Sequence, residues 1–114
     1  MNRGDIFYAD LGNITNTNIQ TGIRPVLIVS NNKCNKYSPT IIIAPLTSKI
    51  KRVDLPIHIK LTKDEENGLE LNSIVLLEQI RTIDKKQLLT KIGAVCKNDL
   101  INIDRALKIS LNLF

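Results

Sequence analysis

Two residues in this chain have the types and spacing to handle a phosphate. Arg24 opens one apolar run, Arg24-Pro25-Val26-Leu27-Ile28-Val29; a second, Thr40-Ile41-Ile42-Ile43-Ala44, is stopped by Pro45, and Thr47 opens the basic loop Thr47–Val53 beyond it. A guanidinium presents five donors in a planar fork that matches phosphate. A threonine hydroxyl adds one donor and two acceptors. Pro25 lacks an N–H and fits the first position of a strand, and it biases Arg24 towards an extended backbone. Pairing the two runs as an antiparallel hairpin, with Asn31–Thr40 as the loop, sets Ser30 opposite Ile41 and Val29 opposite Ile42. The same register sets Arg24 opposite Thr47. Directly opposed residues share a face, with Cβ atoms about 5 Å apart. A slip of one residue would turn one of the pair away.

Other chemistries find little support. His58 is the single histidine, and Cys34 and Cys96 have neither CxxC spacing nor a histidine cluster beside them. Zinc-ligand spacing and a phosphate-binding glycine loop are both missing, so no metal and no cofactor are expected. A lone histidine on a strand is more often structural than an acid or base. The two cysteines read as reduced thiols.

The chain carries +5 at pH 7. Residues 23–63 hold eight basic side chains against one acid, Asp54, which makes that segment +7 and the remainder −2. Such a concentration is the electrostatic footprint of a nucleic-acid partner, and it is expected to surround the Arg24–Thr47 mouth. With 114 residues and 43% hydrophobic content, one domain spanning 1–114 is expected. The apolar stretches are too short to span a membrane. The start, Met1-Asn2-Arg3-Gly4-Asp5, has no apolar signal segment, so a cytoplasmic protein is expected.

The elements that must position the pair can be read in order. Asp5–Leu11 is a first strand. Gly12–Gly22 is a polar loop that ends just before Arg24 and is placed to cover the mouth. Leu55–Leu61 alternates and reads as an edge strand on account of Pro56. Thr62-Lys63-Asp64-Glu65 has the form of a capping box, closed by Gly68. Ser73–Ile80 is a buried strand, and Leu88–Cys96 a last strand with Gly93 a candidate bulge. Asn98 is the expected N-cap of a C-terminal helix, with Asp99 in its first turn. Leu100, Ile103, Leu107 and Leu111 follow at helical spacing, flanked by Ala106 and Phe114. The fold class is mainly β with a C-terminal helix, the sheet small, antiparallel, strongly bent and barrel-like.

Arg3-Gly4-Asp5, Arg24-Pro25-Val26-Leu27, Ser38-Pro39-Thr40, the Thr47 loop and Leu55-Pro56 with His58 together resemble the MazF/PemK toxins. So, most specifically, does Leu76-Leu77-Glu78-Gln79-Ile80-Arg81-Thr82-Ile83-Asp84. The likeness covers nearly the whole chain. It implies an SH3-like barrel of the MazF/PemK/CcdB toxin type and a homodimer. It also implies metal-independent cleavage of single-stranded mRNA, held in check by a cognate acidic antitoxin. The family's catalytic arginine and threonine fall on Arg24 and Thr47. RNA contacts are expected from Asn18, Gln20, Ser48, Lys49, Lys51, Arg52, His58 and Gln79. Where the family commonly carries Gly-Ser-Glu-Gln, this chain has Thr17, Asn18, Ile19 and Gln20, which bears on the choice of cut sequence. The proton acceptor is left open among His58, Glu78 and a water. Two other readings stand beside this one. A gyrase-inhibiting toxin of the CcdB type would end in Trp-Gly-Ile, whereas this chain ends Asn112-Leu113-Phe114 and has no Trp. A non-catalytic RNA-binding barrel would bind RNA without cutting it.

Overall fold

The computed structural model describes residues 1–49 and 55–114. Its strands are β1 (Asp5–Asp10), β2 (Ile23–Ile28), β3 (Thr40–Thr47), β4 (His58–Leu61), β5 (Ser73–Leu76), β6 (Arg81–Asp84) and β7 (Leu88–Ala94). Two helices complete it, α1 (Asn32–Tyr37) and α2 (Lys97–Leu111). The strands pair antiparallel in the order β4-β5-β3-β2-β1-β7, and β6 also lies against β3.

The β2–β3 hairpin forms in the expected register, Val26 opposite Pro45, Leu27 opposite Ala44 and Ile28 opposite Ile43. Val26, Leu27 and Ile28 are all buried because the sheet is covered on both faces. Leu27 joins Ile6, Leu46, Val75 and Leu77 beneath Ile103 and Ala106 of α2. Val26 and Ile28 join Ala9, Ile41, Ile43 and Ile83 on the other face. Continuous apolar runs mark strands enclosed on both faces in this way. Fully burying each such side chain is worth about 1.5–3 kcal/mol.

The 31–40 connection is not a plain loop. Asn31 caps α1, its side chain accepting from the Cys34 amide at 2.8 Å. Propensity is weak over so short a segment, and the capping asparagine supplies the signal. Buried Asn35 holds the segment down, donating to the Ser30 carbonyl at 2.8 Å.

β3 runs on past Pro45, where the apolar run was expected to stop, because it serves two partners on one edge. Thr40–Ile43 pairs with β6, and Leu46–Thr47 pairs with β5. The chain passes from β5 to β6 through a 3-10 turn, Leu77–Gln79, so the expected strand over 73–80 stops at Leu76. That turn, unmarked by glycine or proline, is what bends the sheet.

The sheet is closed between β4 and β7 by the loop that follows β4. Ala94 N donates to the Glu66 carbonyl at 3.0 Å. Gly68 has φ +68°, and a Cβ there would collide with the Ile92 carbonyl oxygen. Gly93 faces the same crossing, where a Cβ would meet the Asn67 and Glu66 backbone. The β1–β7 register shifts between Ile6, opposite Gly93, and Phe7, opposite Lys91, so the expected bulge is present. The cap of this loop is Asp64 with Asn67, each side chain accepting from the other's amide at 2.7 and 3.1 Å, not Thr62 with Glu65. Asp64 wins because the turn starts two residues later than the pattern suggested. Gly68→Ala combines left-handed strain with overpacking and is expected to cost about 2–5 kcal/mol. A urea midpoint measured against the unmodified protein reads this directly.

Three other expectations are corrected. Leu55–Ile57 precedes β4 as a turn, because Pro56 does not join the ladder. The N-cap of α2 is Cys96, with Asn98 already inside the helix; Cys96 Sγ lies 3.3 Å from Asp99 Oδ2. Leu111 and Phe114 are exposed, since Asn112 adopts the left-handed conformation and ends the helix beyond the sheet. Arg3 ties the chain start to α2 through a 2.7 Å ion pair with Asp104.

Candidate active site

Arg24 stands at the start of β2, where the Gly12–Gly22 loop returns to the sheet. The base of that loop is pinned by Leu11 N to the Gly22 carbonyl at 2.9 Å and by Gly22 N to the Gly12 carbonyl at 2.7 Å. Both glycines have positive φ, +84° and +77°, which lets the chain leave and re-enter the sheet at one point. Arg24 Nε donates to the Thr21 carbonyl at 2.8 Å, and Nη1 donates to the Leu46 carbonyl at 3.3 Å. The guanidinium is thus fixed from the loop on one side and from β3 on the other. Burial holds it below the ordinary arginine pKa, because removing water disfavours the charged form. An anion that restored the lost solvation would be bound the more strongly.

Arg24 and Thr47 line one cavity of about 830 Å³. Thr47 Oγ1 accepts from the Lys49 amide at 3.2 Å, which leaves its hydroxyl hydrogen free to donate. Asn18, Gln20, Ser48, Lys49, His58 and Gln79 line the same cavity. Lys51 and Arg52 lie outside the described residues. Among the described residues, the basic segment does not gather around the mouth as expected. Lys33 and Lys36 are carried on α1, at the far end of the hairpin, and Lys60 faces a second cavity beside α2.

His58 Nε2 lies 2.8 Å from Glu78 Oε2, with the histidine largely buried and the carboxylate about one third exposed. This pair is invisible as a spacing, since twenty residues separate its members. It forms because His58 opens β4 opposite Leu76, and the 3-10 turn then swings Glu78 back. Glu70 also lines the cavity and was not singled out by the sequence. The two aromatic residues of β1 divide, as alternate strand positions must. Tyr8 faces the cavity, and Phe7 packs on the second core cluster. Among the described residues no three His, Cys, Asp or Glu side chains gather as a metal-ligand set.

Gln79 is engaged with the loop. Its Oε1 accepts from the Gln20 amide at 2.9 Å, and its Nε2 donates to the Asn18 carbonyl at 3.4 Å. It fastens the middle of the loop to the turn after β5, while Thr21 fastens the end of the loop to Arg24. Gln79→Ala removes the partner of the Gln20 amide. One net hydrogen bond is worth about 1 kcal/mol, so amide exchange at Gln20 should quicken about three- to ten-fold. Exchange at an unchanged rate would mean the clamp holds nothing.

The whole-chain comparison decides the family. Residues 2–111 match the PemK-like, MazF-like toxin of type II toxin–antitoxin systems. The chain belongs to that family. Endoribonuclease MazF of Staphylococcus epidermidis is 43% identical over 111 residues, which is 97% of this chain and 91% of that protein. A mycobacterial endoribonuclease solved in complex with its cognate antitoxin superposes with a TM-score of 0.81 at 27% identity, covering 100% of this chain and 97% of that one. MazF of Deinococcus radiodurans has the same fold, with a TM-score of 0.82 at 18% identity and 99% and 97% coverage. The expected fold class and the resemblance both hold. No helix among the described residues is long and apolar enough to cross a membrane.

Proposed function

We propose that this MazF-family endoribonuclease toxin cuts single-stranded mRNA at preferred sequences, using the substrate's own 2′-hydroxyl as nucleophile. The observation that carries the reading is Arg24, tethered by two carbonyls, partly stripped of water and lining one cavity with Thr47. The 2′-hydroxyl gives up its proton as its oxygen attacks the adjacent phosphorus, the bond from phosphorus to the 5′-oxygen breaks, and the leaving oxygen takes up a proton. Negative charge grows on the phosphoryl oxygens between these states. Donors fixed in advance at that position, here the guanidinium and the Thr47 hydroxyl, stabilise the charge without reorganising. The His58–Glu78 pair borders the same cavity and is the proton-handling pair the geometry offers. Duplex RNA would keep its backbone from aligning, so the substrate is single-stranded.

The exposed loop tip around Thr17–Ile19 lines the cavity and sets the cut sequence through base-edge contacts. A cognate acidic antitoxin silences the toxin by lying across the same mouth. The active form is a homodimer in a reducing cytoplasm, in keeping with two free cysteines. The exposed apolar side chains Ile101 and Ile109 of α2, with Phe114 beyond it, supply surface for a two-fold contact. The test is a gel assay of single-stranded RNA with the native protein and with Arg24→Ala. Cutting by the first and not the second supports the reading. Binding without cutting by both would support a non-catalytic RNA-binding barrel.

A further inference from the structure

Two of the cations expected at the mouth, Lys33 and Lys36, lie elsewhere, and their neighbours make a second surface. Lys33 and Lys36 lie on α1, and both are exposed. The short 3-10 turn that follows β6 brings up Lys85 and Lys86 beside them. The two elements are fastened together, Lys85 N donating to the Pro39 carbonyl at 3.1 Å and Lys85 Nζ to the Asn35 carbonyl. None of the four lysines forms an ion pair among the described residues. The acid beside them, Asp84, is occupied in capping, with its Oδ1 accepting from the Lys86 amide at 2.8 Å. Tyr37 projects from the same cluster at 73% exposure, with Lys36 Nζ 5.4 Å from its ring centroid.

An exposed aromatic ring set among lysines without acidic partners combines the two elements of sequence-tolerant single-strand binding. Those are a face on which a base can stack and cations that track the backbone. An acidic polypeptide would answer to the lysines alone and leaves the ring without a role. We infer that α1 and the turn after β6 form a second RNA-binding surface that holds substrate strand outside the active site. The inference rests on the reading above that RNA is the substrate. β2 carries the chain from Arg24 to Ile28 and three more residues reach Asn31, so this surface lies up to about 23 Å along the hairpin from the mouth. An RNA shorter than that span fills the mouth without reaching Tyr37, whereas a longer one engages both.

The experiment uses the full chain with Thr47→Ala, so that RNA is not consumed, and measures binding of a short and a long single-stranded RNA across a salt series. Adding Lys33→Gln, Lys36→Gln and Lys86→Gln together should weaken long-RNA binding about ten-fold or more. It should also flatten the log-log salt slope by about 2, since each phosphate contact on a single strand contributes about 0.7. Tyr37→Ala should weaken long-RNA binding about ten-fold with little change in slope. With native Thr47, all four substitutions should leave cleavage of the short RNA unchanged. Long-RNA affinity and slope that do not move would overturn the inference, as would equal losses on the short and long RNA. Intact RNA binding with weakened binding of an acidic antitoxin polypeptide would assign the surface to a protein instead. If long-RNA binding falls as stated but the native protein cuts no RNA, the active-site reading fails while α1 and the turn after β6 remain an RNA-binding surface.

Discussion

Arg24→Ala and Thr47→Ala are each expected to lower single-stranded RNA cleavage by about 10²–10³ while leaving the fold intact, the effect of removing one preorganised donor from a charge-stabilising site. The fold should survive because neither side chain belongs to either core cluster. Arg24 donates to two carbonyls of the loop and β3, so its loss loosens the mouth locally and leaves the buried strands in place. Arg24→Lys should fail almost as badly. An ammonium can replace one of those contacts but has no planar fork, so it cannot hold the Thr21 and Leu46 carbonyls and a phosphoryl oxygen together. The double variant should lose little more than the worse single one, because two donors that serve one charge act as a unit. The measurement is the initial cleavage rate on one RNA, with circular dichroism and the urea midpoint as controls. A folded Arg24→Ala protein that cuts at near the native rate would remove Arg24 from the site.

The hairpin was legible because its two apolar runs are long and dense in β-branched and aliphatic residues, so a single register buries both faces. That register survives unchanged from Val26–Pro45 to Ile28–Ile43. A bent sheet was expected, but the place of the bend escaped the sequence. Leu77, Glu78 and Gln79 carry no glycine or proline, and the apolar pattern through Leu77 continues that of β5, yet a 3-10 turn forms there. Tertiary packing decides it, with Leu77 buried in the core and its carbonyl accepting from Ser110 Oγ of α2 at 3.2 Å. That turn places both Glu78 against His58 and Gln79 against the loop. The pairings that complete the cavity were therefore unreadable, whereas the residue types were not. The charge pattern misled for a related reason. Nearness in sequence was taken as nearness in space, but a hairpin sends the residues of its own turn to the end opposite its mouth, which is where Lys33 and Lys36 stand.

Replacing the single ribose on the 5′ side of the cut by deoxyribose is expected to abolish cleavage at that bond. In the proposed reaction the 2′-oxygen is the nucleophile, so its removal takes away a reactant and leaves nothing to compensate. Flanking positions should tolerate the same change with modest losses, since there the 2′-hydroxyl is at most a contact. The upstream fragment should then end in a 2′,3′-cyclic phosphate or its opened form, and the downstream fragment should begin with a 5′-hydroxyl. Both follow from which bond forms and which breaks. Cleavage should also persist in chelator, because charge stabilisation is assigned to Arg24 and Thr47 and not to a cation. A water-attacking nuclease would behave in the opposite way on every count. It would accept the deoxy substitution, and many such enzymes leave a 5′-phosphate and need a bound metal to generate hydroxide. Mass spectrometry of the two fragments from one defined RNA separates the cases. A 5′-phosphate on the downstream fragment, or undiminished cutting at the deoxy position, would refute the 2′-hydroxyl mechanism whatever Arg24 contributes.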